Sequence, residues 1–154
     1  MTRSVGRAFR IAASVAVLLS AAGCHLPRWP VDAALTSGFG VRFLGARPDI
    51  HRGVDLDVPT GTPVQAMAGG RVSFAGVMSG FGNVVWLDHN GGLVSLYAHL
   101  SEIGVRDGQE VTAGDLLGRS GATGSVTAPH LHFEVWRWGR PVDPIAILGG
   151  KPSS

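Results

Sequence analysis

Two short segments bring together side chains of the kinds that hold metals and move protons. "HLHFEVW" (130–136) sets His130 and His132 one residue apart at the head of an apolar run, and "HRGVD" (51–55) sets His51 four residues before Asp55. His99 stands in a third segment, "LYAHLS". Successive side chains on a strand point to opposite faces, so on a strand His130 and His132 lie side by side. A hydrolytic zinc centre asks for three nitrogen or oxygen ligands from the protein and an open fourth position for water. It also needs a base beside that water and a donor for the charge that develops on the attacked carbonyl. The spacing of "HRGVD" would suit one face of a helix, but Gly53 and the following "LDVPTGTPV" oppose a helix. A loop running into a strand must therefore bring His51 and Asp55 together. Asp57 falls on the same strand face as Asp55, and spacing alone leaves the choice between them open. The remaining histidines are expected to be bland: His25 as a solvated linker residue, His89 as a cap or solvated neighbour of the Asn-Gly turn that follows it.

The elements that must position these groups are strands. From residue 36 onward glycines and prolines punctuate short runs of Val, Leu, Ile, Phe and Trp, and 71–77, 83–89, 93–100 and 130–138 each have strand character. "DHNGG" (88–92) joins the second and third of these with a strong hairpin signal. Residues 105–121 carry turn chemistry every few positions without helical periodicity, 121–129 form a glycine-rich loop, and only "DPIAIL" (143–148) suits a helical turn. The expectation is one compact all-β domain, a predominantly antiparallel sheet or sandwich with long loops framing a groove.

The first 23 residues have the character of an export signal. Arg3, Arg7 and Arg10 precede the twelve-residue apolar run 11–22, which is short of the roughly 20 residues that span a bilayer. Residues 24–35 are expected to tether a domain at 36–148, with a flexible tail at 149–154. The chain has 13 Lys+Arg and 11 Asp+Glu, and three of the arginines lie in the leader, so the remainder is close to neutral and offers no argument for nucleic acid. With a single cysteine, Cys24, no disulfide can form within the chain.

"AAGC" (21–24) resembles the lipobox of bacterial lipoproteins, which implies acylation of Cys24 and a lipid anchor in the membrane. His25, standing where an aspartate would follow the cysteine, implies the outer membrane of a diderm envelope, facing the periplasm. From about Ser37 to Leu148 the chain resembles the M23 zinc metallopeptidases of the lysostaphin and LytM type. The matching segments are "SGFGVR", "HRGVDLDVPTGTPVQA", "GGRVSFAG", "GFGNVVWLDHNGGLVSLYAHLS", "VRDGQEVTAGDLLGRSGATGSVTAPHLHFEV" and "GRPVDP". The resemblance implies a zinc-dependent endopeptidase that hydrolyses peptide cross-links of peptidoglycan. It makes His51, Asp55 and His132 the zinc ligands, preferring Asp55 to Asp57, and gives His99 and His130 to catalysis as base or oxyanion donor. Residues 43–50 lack the tyrosine of the glycyl-glycine cutters, which weakens a pentaglycine assignment, and the resemblance to envelope lipoproteins of this type implies D-alanyl–diaminopimelate links. Arg42 and Arg52 are candidates for substrate carboxylates, and Trp86, Trp136 and Trp138 either line a groove or pack. The same family holds domains that have lost ligands and activate cell-wall amidases, so a non-catalytic envelope lipoprotein with a regulatory partner is the alternative. "VRDGQEVTAGDLLG" also resembles biotinyl/lipoyl-type β-domains, but Lys151 is the sole lysine and no hairpin tip carries one.

Overall fold

Alternating apolar residues lay one face of a strand on a core, and short runs of this kind recur along the chain. The computed structural model describes residues 26–150, and Cys24, His25 and the segment expected to be an export signal lie outside them. The strands are β1 (Ala34–Ser37), β2 (Gly40–Leu44), β3 (Arg47–His51), β4 (Val54–Asp57), β5 (Pro63–Gln65), β6 (Gly70–Met78) and β7 (Gly82–Asp88). They continue as β8 (Leu93–Leu100), β9 (Glu102–Ile103), β10 (Glu110–Val111), β11 (Leu116–Arg119), β12 (Leu131–Arg137) and β13 (Arg140–Val142). One short helix, α1 (Pro144–Leu148), follows, and the Asp143 side chain caps it by accepting from the Ile145 amide at 2.9 Å. The all-β, antiparallel expectation holds throughout.

The main sheet runs β1-β4-β12-β8-β7-β6-β10, with β13 pairing β12. A three-stranded sheet, β5-β11-β9, covers one of its faces, and between the two lie Val54, Leu56, Val85, Leu87, Tyr97, Leu131, Phe133, Val64 and Leu117. Tyr97 and Phe133 meet at 5.3 Å between ring centroids at the centre of this core. Small residues and aromatics share the opposite face: Val84, Leu96 and Ala98 are buried beneath Phe74, Met78, Phe81 and Trp86.

Two segments differ from the sequence expectation. Residues 28–35 are not a free tether. Val31 and Ala33 are buried in the core, Trp29 packs 6.2 Å from Phe133, and the Arg28 amide donates to the Met67 carbonyl. The apolar side chains of "WPVDAA" are the reason, since burying them on the core is worth more than leaving them in solvent. Residues 40–51, not among the runs read as strands, form the β2–β3 hairpin, in which Val41 pairs with Ile50 and Phe43 with Pro48. Its sequence lacks an Asn-Gly turn, and Gly45, at φ 65°, supplies the left-handed residue instead.

Gly53 sits between the two candidate ligands at a place where only hydrogen fits. A Cβ there would collide with the Phe133 carbonyl oxygen on β12 and meet Glu134 Cγ at 2.8 Å. Replacing Gly53 by alanine should therefore push β4 off β12. The expected result is a loss of about 2 kcal/mol or more in denaturant unfolding, with weaker metal binding by the protein that remains folded.

Candidate active site

The groove lies at one end of the uncovered face, and strand register decides which side chains reach it. His132 on β12 pairs with Asp55 on β4 to one side and with Ala98 on β8 to the other. His51, the last residue of β3, returns to β4 across only Arg52 and Gly53. The link is thus a strand end and two residues rather than a loop running into a strand. Asp57, which spacing left as a candidate, is exposed and pairs with Ala34 away from the histidines.

Parity alone would send His99 to the wrong side, because its neighbour Ala98 already occupies the face of His132. Between the pairs Val85↔Tyr97 and Asn83↔Leu100, β8 has two residues where β7 has one. This bulge, with His99 at φ 61°, turns the imidazole onto the groove side. There its ring centroid stands 4.8 Å from that of His130 and 5.9 Å from that of His132. His130 precedes β12 and is held by an isolated bridge to Gly121.

Three acceptor atoms converge. His51 Nε2, Asp55 Oδ1 and His132 Nδ1 are separated by 3.1, 3.2 and 2.8 Å. The outer nitrogens are engaged: His51 Nδ1 lies 2.8 Å from the Gly38 carbonyl, and His132 Nε2 lies 2.9 Å from Glu134 Oε1. Both outer partners are acceptors, so each ring places its proton outward and its lone pair inward. A carboxylate oxygen and two lone pairs then face one another, an arrangement that repels unless a cation or a proton sits among them. Tetrahedral zinc with bonds of about 2.0–2.1 Å would space its ligand atoms about 3.3 Å apart, so the triangle fits such an ion.

Glu134 is the residue that sequence reasoning missed. It is 2 % exposed, and its second oxygen accepts from Trp136 Nε1 at 2.6 Å. The signal was available, because in "HLHFEVW" Glu134 shares the strand face of His132. A carboxylate on the outer nitrogen of a ligating histidine fixes its tautomer and raises its basicity.

Arg42 is tied to the site's own carboxylates, with Nε 2.8 Å from Asp49 Oδ2 and NH1 3.1 Å from Asp55 Oδ2. It lines the groove of about 420 Å³, as do Asp55, Phe81, His99, His130 and His132. Arg52 is exposed on the link between β3 and β4 and does not line that groove. Trp86 and Trp136 stack on each other at 6.3 Å. His89 neither caps the turn nor faces solvent freely. Its ring bridges the Gly69 carbonyl and the buried Ser95 hydroxyl, while Asp88 caps the turn through the Asn90 amide.

The electrostatics follow from these contacts. Burial pushes Asp55 up, but hydrogen bonds and charge from His132 and His51 outweigh it and hold the carboxyl far below the usual range. Burial pushes His132 down, and the bonds to Asp55 and Glu134 outweigh that and raise it. His99 is lowered, chiefly by burial, although its Nδ1 donates to the Thr123 carbonyl at 2.9 Å. It therefore stands neutral at pH 7 with Nε2 free to accept. His130 Nδ1 donates to the Ala128 carbonyl at 2.9 Å, leaving its Nε2 at 3.7 Å from Asp55 Oδ1.

Residues 49–144 match Peptidase family M23. The chain is 43 % identical over 103 residues to "DD-carboxypeptidase/endopeptidase Mpg" of Neisseria meningitidis, covering 67 % of this chain and 24 % of that protein. It is 36 % identical over 121 residues to a "Lipoprotein NlpD/LppB homolog" of Pseudomonas aeruginosa, covering 78 % and 39 %. Among solved structures, a zinc containing peptidase from Vibrio cholerae superposes with a TM-score of 0.74 at 35 % identity, over 84 % of this chain and 41 % of that one. The chain spans about a quarter to two fifths of the length of these curated relatives.

A pH dependence follows for the metal-free protein. The raised histidine, His132, contributes stability that is full below its unfolded value of 6.5 and is lost as pH rises through the folded value. Asp55 acts in the opposite sense, contributing above 3.8 and losing it only as pH falls toward its depressed value. The melting temperature of chelator-treated protein should thus fall as pH rises above about 6.5, while zinc-loaded protein should not follow it, because a metal takes the proton's place. Scanning calorimetry of both forms across that range checks it.

Proposed function

The chain belongs to peptidase family M23, and from that premise we propose that it is a zinc-dependent endopeptidase cutting peptide cross-links of bacterial peptidoglycan. The observation that carries this is the inward convergence of His51 Nε2, Asp55 Oδ1 and His132 Nδ1 with two further histidines beside them. An amidase activator needs no such complete set. His51, Asp55 and His132 would hold the zinc, which when bound supplies Lewis acidity toward water and carbonyl. The cross-link chemistry we favour is D-alanyl–diaminopimelate. Support comes from the relative named an endopeptidase and from residues 43–50, which carry no tyrosine.

The protein's own groups divide the work as follows. His99, kept neutral by burial and with its outer nitrogen held by Thr123, takes a proton from the attacking water through Nε2. That proton passes to the amine nitrogen as the C–N bond breaks. His130, with Nε2 3.7 Å from Asp55 Oδ1, stands beside the ligand set where it can donate to the carbonyl oxygen that gains charge. Phe81, its ring 5.8 Å from that of His132, keeps water off one side of the site. Arg42, held by Asp49 and Ser37, fixes the second oxygen of Asp55 and leaves the first to face the ion.

Acylation of Cys24 would anchor the domain in the envelope, with the outer membrane facing the periplasm as its site. The lipobox-like "AAGC" supports this, and so does the lipoprotein name of a relative. Failure of Cys24 to take up a fatty-acid probe in cells would remove the anchor from the account.

Digestion of muropeptides of defined cross-link, followed by mass spectrometry, tests the activity. Zinc-loaded protein should release the two stems, and chelation should stop it. Two variant classes separate the roles. His132→Ala and Asp55→Ala should lose most of the zinc. His99→Ala and His130→Ala should keep stoichiometric zinc and lose roughly 10²-fold or more in kcat. A zinc-loaded, folded domain that releases nothing from any cross-link would shift the reading to the non-catalytic activator.

A further inference from the structure

Trp138 occupies a backbone position that a bulky side chain ordinarily avoids. The β12–β13 hairpin closes with Arg137 paired to Arg140, leaving Trp138 and Gly139 as a two-residue turn, and both have positive φ, 54° and 73°. Two-residue turns of this kind take Asn-Gly by preference, since asparagine tolerates the left-handed region and a bulky aromatic is an outlier there. An indole in that place is strained, and nothing in the hairpin requires one. It is also not used to fill the core: Trp138 is 73 % exposed.

The indole is nevertheless fixed. The Trp138 amide donates to the Gly92 carbonyl at 2.7 Å, and the ring lies so close over Gly92 that no Cβ could stand between them. One side of the ring rests on the β7–β8 turn, and the rest is open to solvent. Exposed Arg137 and Arg140 flank it across the hairpin. His132, Glu134 and Trp136 share one face of β12, and the strand carries that face toward this tip, about 20 Å beyond His132 at the rise of an extended strand.

We propose that Trp138, with Arg137 and Arg140, is a secondary binding site for the glycan strand of the substrate polymer. The apolar face of a sugar ring stacks on the indole, and the guanidiniums take carboxylates of the peptide stems that the strand carries. This rests on the peptidoglycan reading of the groove and adds a site to it. A pre-fixed aromatic loses little freedom on binding, so the strain held in the turn is offset by what the ring does when occupied. A second contact on the same polymer keeps the groove near successive cross-links after one is cut.

The test is binding, read apart from cleavage, on zinc-loaded protein and its Trp138→Asn, Trp138→Ala and Arg137→Gln/Arg140→Gln variants. The probes are uncross-linked glycan strands that retain their peptide stems, neutral N-acetylglucosamine hexamer, and vesicles containing anionic phospholipid. Indole N–H chemical shifts and calorimetry report the contact. Trp138→Asn should raise the melting temperature by about 2–6 °C by relieving the turn, while weakening binding of the stem-bearing strands about tenfold, the scale of one lost aromatic contact. The double arginine variant should weaken the stem-bearing strands and leave the neutral hexamer unchanged.

A fall in melting temperature for both Trp138 variants would show that the indole is there for packing, and equal binding by Trp138→Asn would remove it from the site. Either result overturns the proposal. Binding to the vesicles alone, lost with Trp138, would also overturn it, in favour of a membrane contact. Protein that binds strands through Trp138 but cleaves no cross-link would sink the peptidase reading and leave this site standing.

Discussion

Three lone-pair atoms from three different segments point into one space smaller than a water molecule, and each is held there by something outside it. His51 is held by the Gly38 carbonyl, His132 by Glu134, and Asp55 by Arg42 on its far oxygen. Such an arrangement costs free energy unless a positive charge occupies the centre. Without a metal, Asp55 is held low and His132 is raised, each despite burial and through its bond to the other, so a proton on His132 Nδ1 takes that place. Exchanging that proton for a metal ion leaves the surrounding contacts as they are. On the proposed zinc assignment the site is thus set up before the ion arrives, which is how a ligand set gains affinity without folding around its metal.

The rest of the fold serves that convergence. β4 and β12 pair through Asp55 and His132, so the ladder between these strands fixes two of the three proposed ligand positions. Gly53 lets the β3–β4 link pass against the backbone of β12, bringing His51 within reach. A bulge on β8 brings in His99, and the small side chain of Ala98 leaves room beside His132. The core beneath, from Trp29 through Phe133 to Tyr97, holds β12 from the other face. Loops carry His130, the residues around Ser125, and Gly80 and Phe81 of the β6–β7 turn.

Much of this was legible in the sequence, for physical reasons that differ from residue to residue. The strands carrying His99 and His132 showed in their apolar alternation, and the hairpin between β7 and β8 in its Asn-Gly. Side-chain parity placed His130 and His132 on one side. What parity could not show was the bulge, because an extra residue leaves no compositional mark and inverts the face of everything beyond it. Nor could spacing separate Asp55 from Asp57, since both lie on one strand face; the choice needed the register of β4 against β12. Glu134 escaped notice because a glutamate in a strand looks like a solvent-facing residue until both its neighbours on that face are known. The β2–β3 hairpin was hidden by a turn without Asn-Gly, and the docking of residues 28–35 by prolines that resemble a linker.

X-ray absorption at the zinc edge, on protein loaded with one equivalent of zinc, tests most directly whether the three atoms form a metal centre. The account predicts a first shell of light nitrogen and oxygen scatterers only, at about 2.0–2.2 Å, with an imidazole contribution from two rings that drops to one in His132→Ala and stays at two in His130→Ala. A shell that keeps both rings in His132→Ala and loses one in His130→Ala would contradict it, because the ion would then sit on the pair assigned to proton transfer.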